Sequence, residues 1–347
     1  MVERSVWDRE VPGSSPGAPI FRGAFLPMLS IKQLALLPVH NIFHTKFKLQ
    51  KINNNLAVIT SAPVKAPFRF DSLVLSISAV LGKDSAILAQ AAVKTAKGWG
   101  GLYKLFYISQ DYKKTFAPQN DEIAKTDIDT LIPKEPAQYF KYQITVLGKA
   151  KINLLCAAIT QAGAKYDEGL ALETLGLRDF DLPVKPIGQK DFKDKTIANR
   201  SCSPAAVNAV LNYWNKKTTI PQALKGVYDE AAKIYGTWPL NTAYAAQQGL
   251  NAVFVRCSSI AQLEGEVLKG RPVIVSLSFK EGELKNAPSK ATAGHLVTVT
   301  GFDKNGNIIV MDSAAKTAKE AARVYDRKQF ARAWLKNKRG AAYAIEG

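Results

Sequence analysis

Between Phe43 and Gln161 the chain runs through short apolar or alternating stretches: KFKLQKI, LAVIT, RFDSLVLSISAVL, GLYKLFYIS, YFKYQITVL and INLLCAAIT. A period of two, with β-branched and aromatic residues enriched, predicts strands. Asn53-Asn54-Asn55, Pro63, Gly82-Lys83-Asp84 and Gly148-Lys149 separate them as turns. Antiparallel strands at this spacing predict an all-β sandwich or jelly-roll-like domain over residues 43–180. SAILAQAAVKTAKGWG is the ambiguous stretch, because its alanines also suit a helix.

The period changes after Arg178 to Asp194, where prolines and charges break the apolar pattern like a linker. PAAVNAVLNYW and PQALKGVYDEAAKIY predict amphipathic helices, NTAYAAQQGL a short helix ended by Gly249, and SIAQLEGEVLKG a further one. NAVFVR, RPVIVSLSF, HLVTVTGF and NIIVMDS predict strands, and RKQFARAWLK a last helix. Helices first and an antiparallel sheet second make residues 181–347 an α+β domain. Residues 1–42 show neither period. They are expected to be a poorly ordered lead, with a misassigned start and Met28 as an alternative initiator.

Composition narrows the function. The 347 residues suit two domains, and 47 basic against 29 acidic side chains give a net charge of +18. No uncharged apolar run approaches the ~20 residues that span a bilayer as a helix. Three cysteines and three histidines are too few and too scattered for a disulfide framework or a zinc site, and no cofactor motif appears, so neither metal nor cofactor is expected. His40 and His44 stand four apart but have no third ligand. The excess charge, densest from Lys316 to Arg339, suits an anionic cell-wall or other polyanionic surface, or simply a solvated face. Nucleic acid is not expected, since no such motif accompanies the charge.

Four residues carry candidate chemistry. Cys202, in Ser201-Cys202-Ser203-Pro204, opens a predicted helix, where unpaired N–H groups and the helix dipole favour a thiolate. The competing reading is a small residue packed under the helix. His295 begins a strand and is the one histidine of the second half, suited to shuttle a proton at neutral pH. Asp312 ends the next strand. The turn Lys304-Asn305-Gly306-Asn307 makes the two a hairpin, but their unequal offsets from it require a bulge before Asp312 can orient the ring. Otherwise Asp312 is a cap. Gln189, 13 residues before Cys202, is a candidate oxyanion donor or a plain surface amide. Trp238, Asn241 and Gly294 are candidates for the substrate cleft, with packing or a turn as the alternative. Cys156 and Cys257 read as structural.

The order Gln189, Cys202, His295, Asp312 resembles the papain-like cysteine peptidases, in particular family thirty-nine, the relatives of bacteriocin-processing enzymes. RSCSPAAVNAVLNYW, VYDEAAKIYGTWPLNTAYAAQQGL, GRPVIVSLSF, GHLVTVTGF, NIIVMDSAA and RVYDRKQFARAWL carry the likeness. It implies a papain-like domain with Cys202 as nucleophile, His295 as acid and base, Asp312 as orienting carboxylate and Gln189 as oxyanion donor. FDSLVLSISA, GLYKLFYIS, TDIDTLIP and AQYFKYQITVL resemble the strand-rich module that precedes the peptidase in some bacterial members. The resemblance implies an amide-bond hydrolase acting on peptides or proteins through a thioester. It also implies an extracellular or envelope location, although no signal peptide is visible. The alternative is a non-catalytic binding protein: a degenerate papain-like scaffold with a basic, polyanion- or polysaccharide-binding surface.

Overall fold

The structure, a computed structural model, describes residues 39–192 and 194–347. The first half folds as one hydrogen-bonded sheet rather than the two stacked sheets of a sandwich. Its spine, in spatial order, is Val39–His44, Ala150–Gln161, Val64–Leu81, Ala137–Leu147, Ala86–Thr95, Tyr103–Ser109 and Lys113–Thr115, every neighbour antiparallel. The hairpin Ala124–Asp127 and Thr130–Pro133 branches from Val64–Leu81, and Gln50–Asn53 with Leu56–Thr60 branches from Ala137–Leu147. The reason for a single sheet is strand length. Val64–Leu81 has 18 residues and pairs with Ala137–Leu147 early in its course and with Ala150–Gln161 for the rest. The sheet wraps one core holding Ile59, Phe70, Ile87, Phe106, Leu131, Ile144 and Leu155.

One expectation is corrected here and one ambiguity resolved. The lead is expected over residues 1–42, yet Val39–His44 is a strand, because its backbone pairs with Ala150–Gln161 from Thr160 back to Leu155. Residues 1–38, with Met28, lie outside the described residues. SAILAQAAVKTAKGWG resolves to the strand Ala86–Thr95, whose small side chains are clamped between strands on both sides.

The second half packs helices on an antiparallel sheet in the order Asn251–Arg256, Ala341–Glu346, Val273–Phe279, Thr292–Phe302, Ile308–Met311, Ala322–Tyr325. The linker-like stretch belongs to this half. Phe180–Asp181 pairs with Phe302 and Gly301, and Leu182 and Val184 enter its core. Gly301 is required there, since a Cβ would collide with the Phe180 carbonyl. The helix expected over PQALKGVYDEAAKIY stops at Val227. Beyond it the buried Asp229 carboxylate accepts the Ala231 and Ala232 N–H groups and both the N–H and hydroxyl of Thr115, tying the turn to the first half.

The halves share more than a linker. On Val64–Leu81, Leu73, Leu75 and Ile77 face the first core while Val74, Ser76 and Ser78 face the second half. Both faces are covered, which explains why this strand reads as almost continuously apolar. Asn251–Arg256 is the edge of its own sheet, and its outward groups find side chains instead of a strand. Ser78 Oγ accepts from Ala252 N (3.2 Å), Ser76 Oγ from Phe254 N (2.9 Å) and Asn41 Oδ1 from Arg256 N (2.8 Å). Asn41 Nδ2 returns a bond to Arg256 O at 2.7 Å. Alternate residues of the edge are thus closed off by the first half.

Candidate active site

Cys202 is the first residue of the helix Cys202–Tyr213. The helix forms because PAAVNAVLN places Ala206, Val207, Val210 and Leu211 on a core that also holds Leu296 and Tyr343. Ser201 fixes the entry: its hydroxyl donates to Ala198 O at 3.1 Å and its carbonyl accepts the first helical N–H, from Ala205. The sulfur therefore sits at the positive end of the helix, partly exposed.

His295 lies on Thr292–Phe302 and is 7% exposed. Its Nε2 meets Asp312 Oδ1 at 2.7 Å. The bulge that this contact requires is present. Phe302 pairs with Ile308 and Gly301 with Ile309, but Val299 pairs with Val310 and Thr298 with Met311. Continued without the shift, the hairpin would set Asp312 across from Thr298, on the face opposite His295. The extra residue, Thr300, reverses the parity and turns Asp312 to the His295 side. Asp312 Oδ1 also accepts the Ala314 N–H (2.9 Å), and Oδ2 accepts the Tyr325 hydroxyl (2.6 Å).

With Nε2 held by the carboxylate, Nδ1 is the ring nitrogen left for Cys202, which hydrogen-bonds the ring. Burial pushes the thiol up, but the hydrogen bond and charge of His295 and the Leu296 N–H bring it below its ordinary value. Burial also opposes protonation of His295, yet Asp312 and then Cys202 raise it well above its ordinary value. Asp312 is held down, against its own burial, by His295, Tyr325 and the Ala314 N–H. The three groups favour a thiolate, an imidazolium and a carboxylate in a row.

Gln189 is buried between the two sides of this arrangement. Its Nε2 donates to Ala198 O (2.8 Å), the carbonyl that also accepts from Ser201, and its Oε1 accepts the hydroxyl of Ser313, next to Asp312 (2.8 Å). One amide hydrogen of Nε2 keeps no acceptor among the described residues. Tyr325 is the participant that sequence reasoning missed. It stands in RVYDRKQF, and only its strand pairing with Ile308 carries its ring to Asp312.

The three cleft candidates separate. Asn241 is 0% exposed, and its amide is engaged by Ser203 Oγ (2.8 Å) and by the carbonyls of Tyr235 and Thr237. It braces the Cys202 helix from behind and offers no surface to a substrate, because its helix packs that face inward. Trp238 is half-buried, its ring stacked on Phe254 at 4.6 Å, and its backbone N–H donates to Asp129 Oδ2 across the junction of the halves. Gly294 is exposed beside His295. Cys156 and Cys257 are buried, and burial raises both thiols far above their ordinary value.

The basic stretch is less free than its count implies. Arg323, Arg327, Lys328, Arg332 and Arg339 pair with Glu320, Glu264, Glu168, Glu168 and Asp71. Among the described residues no helix is long and apolar enough to cross a membrane.

The chain is similar to the crystal structure of a double glycine motif protease from an AMS/PCAT transporter in complex with the leader peptide. Identity is 18% and the TM-score 0.31, over 50% of this chain and 96% of that one. It is also similar to a C39-like peptidase from Bacillus anthracis, at 15% identity and a TM-score of 0.37, over 49% of this chain and 98% of the other. No curated protein matches. Residues 181–342 match the Peptidase_C39 like family, a stretch that holds Cys202, His295 and Asp312.

Proposed function

We propose that the protein is a cysteine-dependent amide-bond hydrolase. The observation that carries this reading is the 2.7 Å contact of His295 with Asp312, which leaves the second ring nitrogen to a cysteine at a helix start. The match of residues 181–342 to the Peptidase_C39 like family supports it. In the first step the Cys202 thiolate adds to the substrate carbonyl, forming a C–S bond while the carbonyl oxygen gains the negative charge. The Cys202 N–H and the unengaged Gln189 amide hydrogen stabilise that oxygen. The C–N bond then breaks, and His295 gives its proton to the departing amine. His295, now neutral, takes a proton from water as the water oxygen bonds to the thioester carbon; the C–S bond then breaks, the carboxylic acid leaves, and thiolate and imidazolium are restored. Asp312 holds the ring orientation and the charge throughout, as Tyr325 holds Asp312.

The substrate class is a peptide or protein. Cys202→Ala should abolish turnover of peptide substrates and prevent trapping of a thioester on the protein. Hydrolysis surviving in the purified variant at the wild-type rate would eliminate this mechanism.

A further inference from the structure

Beside Gly294 the structure gathers charges that the hydrolytic steps leave unused. Arg256 is 4% exposed. Its guanidinium lies over the rings of Trp238 and Phe254, at 5.5 and 5.4 Å, and Nη1 donates to the carbonyls of Lys338 and Arg339. Its Nε has no acceptor among the described residues. Lys338 is half-buried, and a methyl group added to Gly294 would stand 3.5 Å from its Nζ. That ammonium has no hydrogen bond or ion pair among the described residues. Burial and the Arg256 charge hold it below its ordinary value.

The acid that faces both cations comes from the other half. Asp129, in the turn of the Ala124–Pro133 hairpin, is buried, accepts from Trp238 N (2.8 Å) and Thr130 Oγ1 (3.2 Å), and bonds neither cation. Arg339, which also acts on Arg256, is paired with Asp71, so two cations against one carboxylate leave a positive excess in a partly dehydrated corner beside Gly294. An open depression of about 850 Å³, reaching Ala293 next to Gly294 in the chain, is lined by Ser278, Lys280, Glu281, Glu283 and Asn337 as well. It has room for several residues of an extended peptide.

We propose that this corner is a carboxylate-binding subsite of the cleft: Lys338 Nζ, backed by Arg256, receives an acidic group of the peptide whose amide bond lies at Cys202. The proposal rests on the hydrolase reading for its substrate and goes beyond it in naming the charge that the substrate carries. An acidic side chain and a free C-terminal carboxylate share this chemistry. A charge-assisted hydrogen bond to a half-buried ammonium corresponds to a preference of about tenfold or more.

The test uses the full chain and quenched fluorescent octapeptides of one Gly- and Ala-rich backbone. One arm places Glu or Gln at each position in turn, and the other compares a C-terminal acid with its amide. The wild type should favour the acidic member of at least one pair about tenfold in kcat/KM, and the arm in which this occurs identifies the source. In Lys338→Met that ratio should fall towards one, and in Lys338→Glu a Lys-bearing peptide should overtake the acidic one. Each ratio is taken within one protein, so partial misfolding cancels. Equal rates for every pair in the wild type, or a preference that survives in Lys338→Met, would overturn the proposal. If no peptide is cleaved, the same ratios are read as affinities by anisotropy with Cys202→Ala. Acid-selective binding lost in Cys202→Ala/Lys338→Met keeps the subsite while the hydrolase reading fails, and unselective binding removes the subsite.

Discussion

Two buried polar regions, one at the edge strand Asn251–Arg256 and one around Cys202, solve the same problem differently. At the seam between the halves, Ser76, Ser78 and Asn41 satisfy the open edge of Asn251–Arg256 with neutral hydroxyl and amide groups. At the cleft, Cys202, His295 and Asp312 are satisfied by one another as charges, and each titrates away from its ordinary value. A neutral hydrogen bond stabilises an arrangement without offering a proton. A row of thiolate, imidazolium and carboxylate can move one. The seam holds the halves together, and the cleft is where the proposed chemistry would draw on buried charge.

The sharpest way to break this contrast is to remove the imidazole. His295→Ala should lower kcat/KM by on the order of 10²–10⁴, the usual worth of a positioned acid and base. Iodoacetamide labelling adds a second readout. In the wild type Cys202 should label at lower pH than an ordinary thiol, where Cys257 and Cys156 stay silent because burial raises their thiols. Without His295 the Cys202 profile should shift to higher pH, since the hydrogen bond and charge that lower its thiol are gone. A profile that stays in place would mean that the helix end alone sustains the thiolate.

Tyr325→Phe probes the same row more gently. Its hydroxyl helps to hold Asp312 ionised, so its loss should raise the Asp312 carboxyl, weaken the support for imidazolium and let the His295 value fall. Loss of a hydrogen bond to a charged acceptor corresponds to about a tenfold fall in kcat, with KM little changed. A rise in KM alone would make Tyr325 a packing residue.

This residue also marks how far the sequence could be read. Cys202 was legible because SCSPAAVNAVL announces a helix start, and His295 and Asp312 because a hairpin turn lies between their strands. The need for a bulge was legible too, from the unequal offsets. Its position at Thr300 was not, because register is set by pairing with Phe180–Asp181 and Val273–Phe279 as much as by the turn. Tyr325 lies beyond the next strand pairing and gave no local signal. The seam was hidden for a similar reason. Ser76 and Ser78 look like interruptions of an apolar strand until Ala252 and Phe254, over 170 positions away, are set against them. The sandwich expectation failed at Val64–Leu81, since alternation predicts a strand but does not limit how many partners a long one can take.

At the seam the expected effects are on stability. Ser76→Ala leaves the buried Phe254 N–H without its acceptor, which should cost about 1–3 kcal/mol in urea unfolding. The cost should be the same at pH 6 and pH 8, because no group in the contact titrates there. A cost that varies between those pH values would blur the distinction between seam and cleft.

The smallest effect concerns the remaining histidines, which sit on the strand that carries Asn41 of the seam. His40 and His44 lie on Val39–His44 beside Asn41, edge-on to Phe68 and Tyr142. His40 Nδ1 and His44 Nε2 are buried with no partner among the described residues. Burial lowers both imidazoles from 6.5, the reverse of His295. A lowered folded value means that the unfolded chain binds more protons below pH 6.5, so stability is full above that pH and declines as acid is added. His295 has the opposite sign: its contribution is full below pH 6.5 and fades as pH rises through its folded value. Comparing the wild type with His40→Leu/His44→Phe cancels His295, which both proteins retain. The wild type should lose stability more steeply than the double variant between pH 6.5 and about 5 in urea titrations. Parallel curves would mean that the strand beside the seam does not sense protons, and that the cleft is where histidine chemistry in this chain is confined.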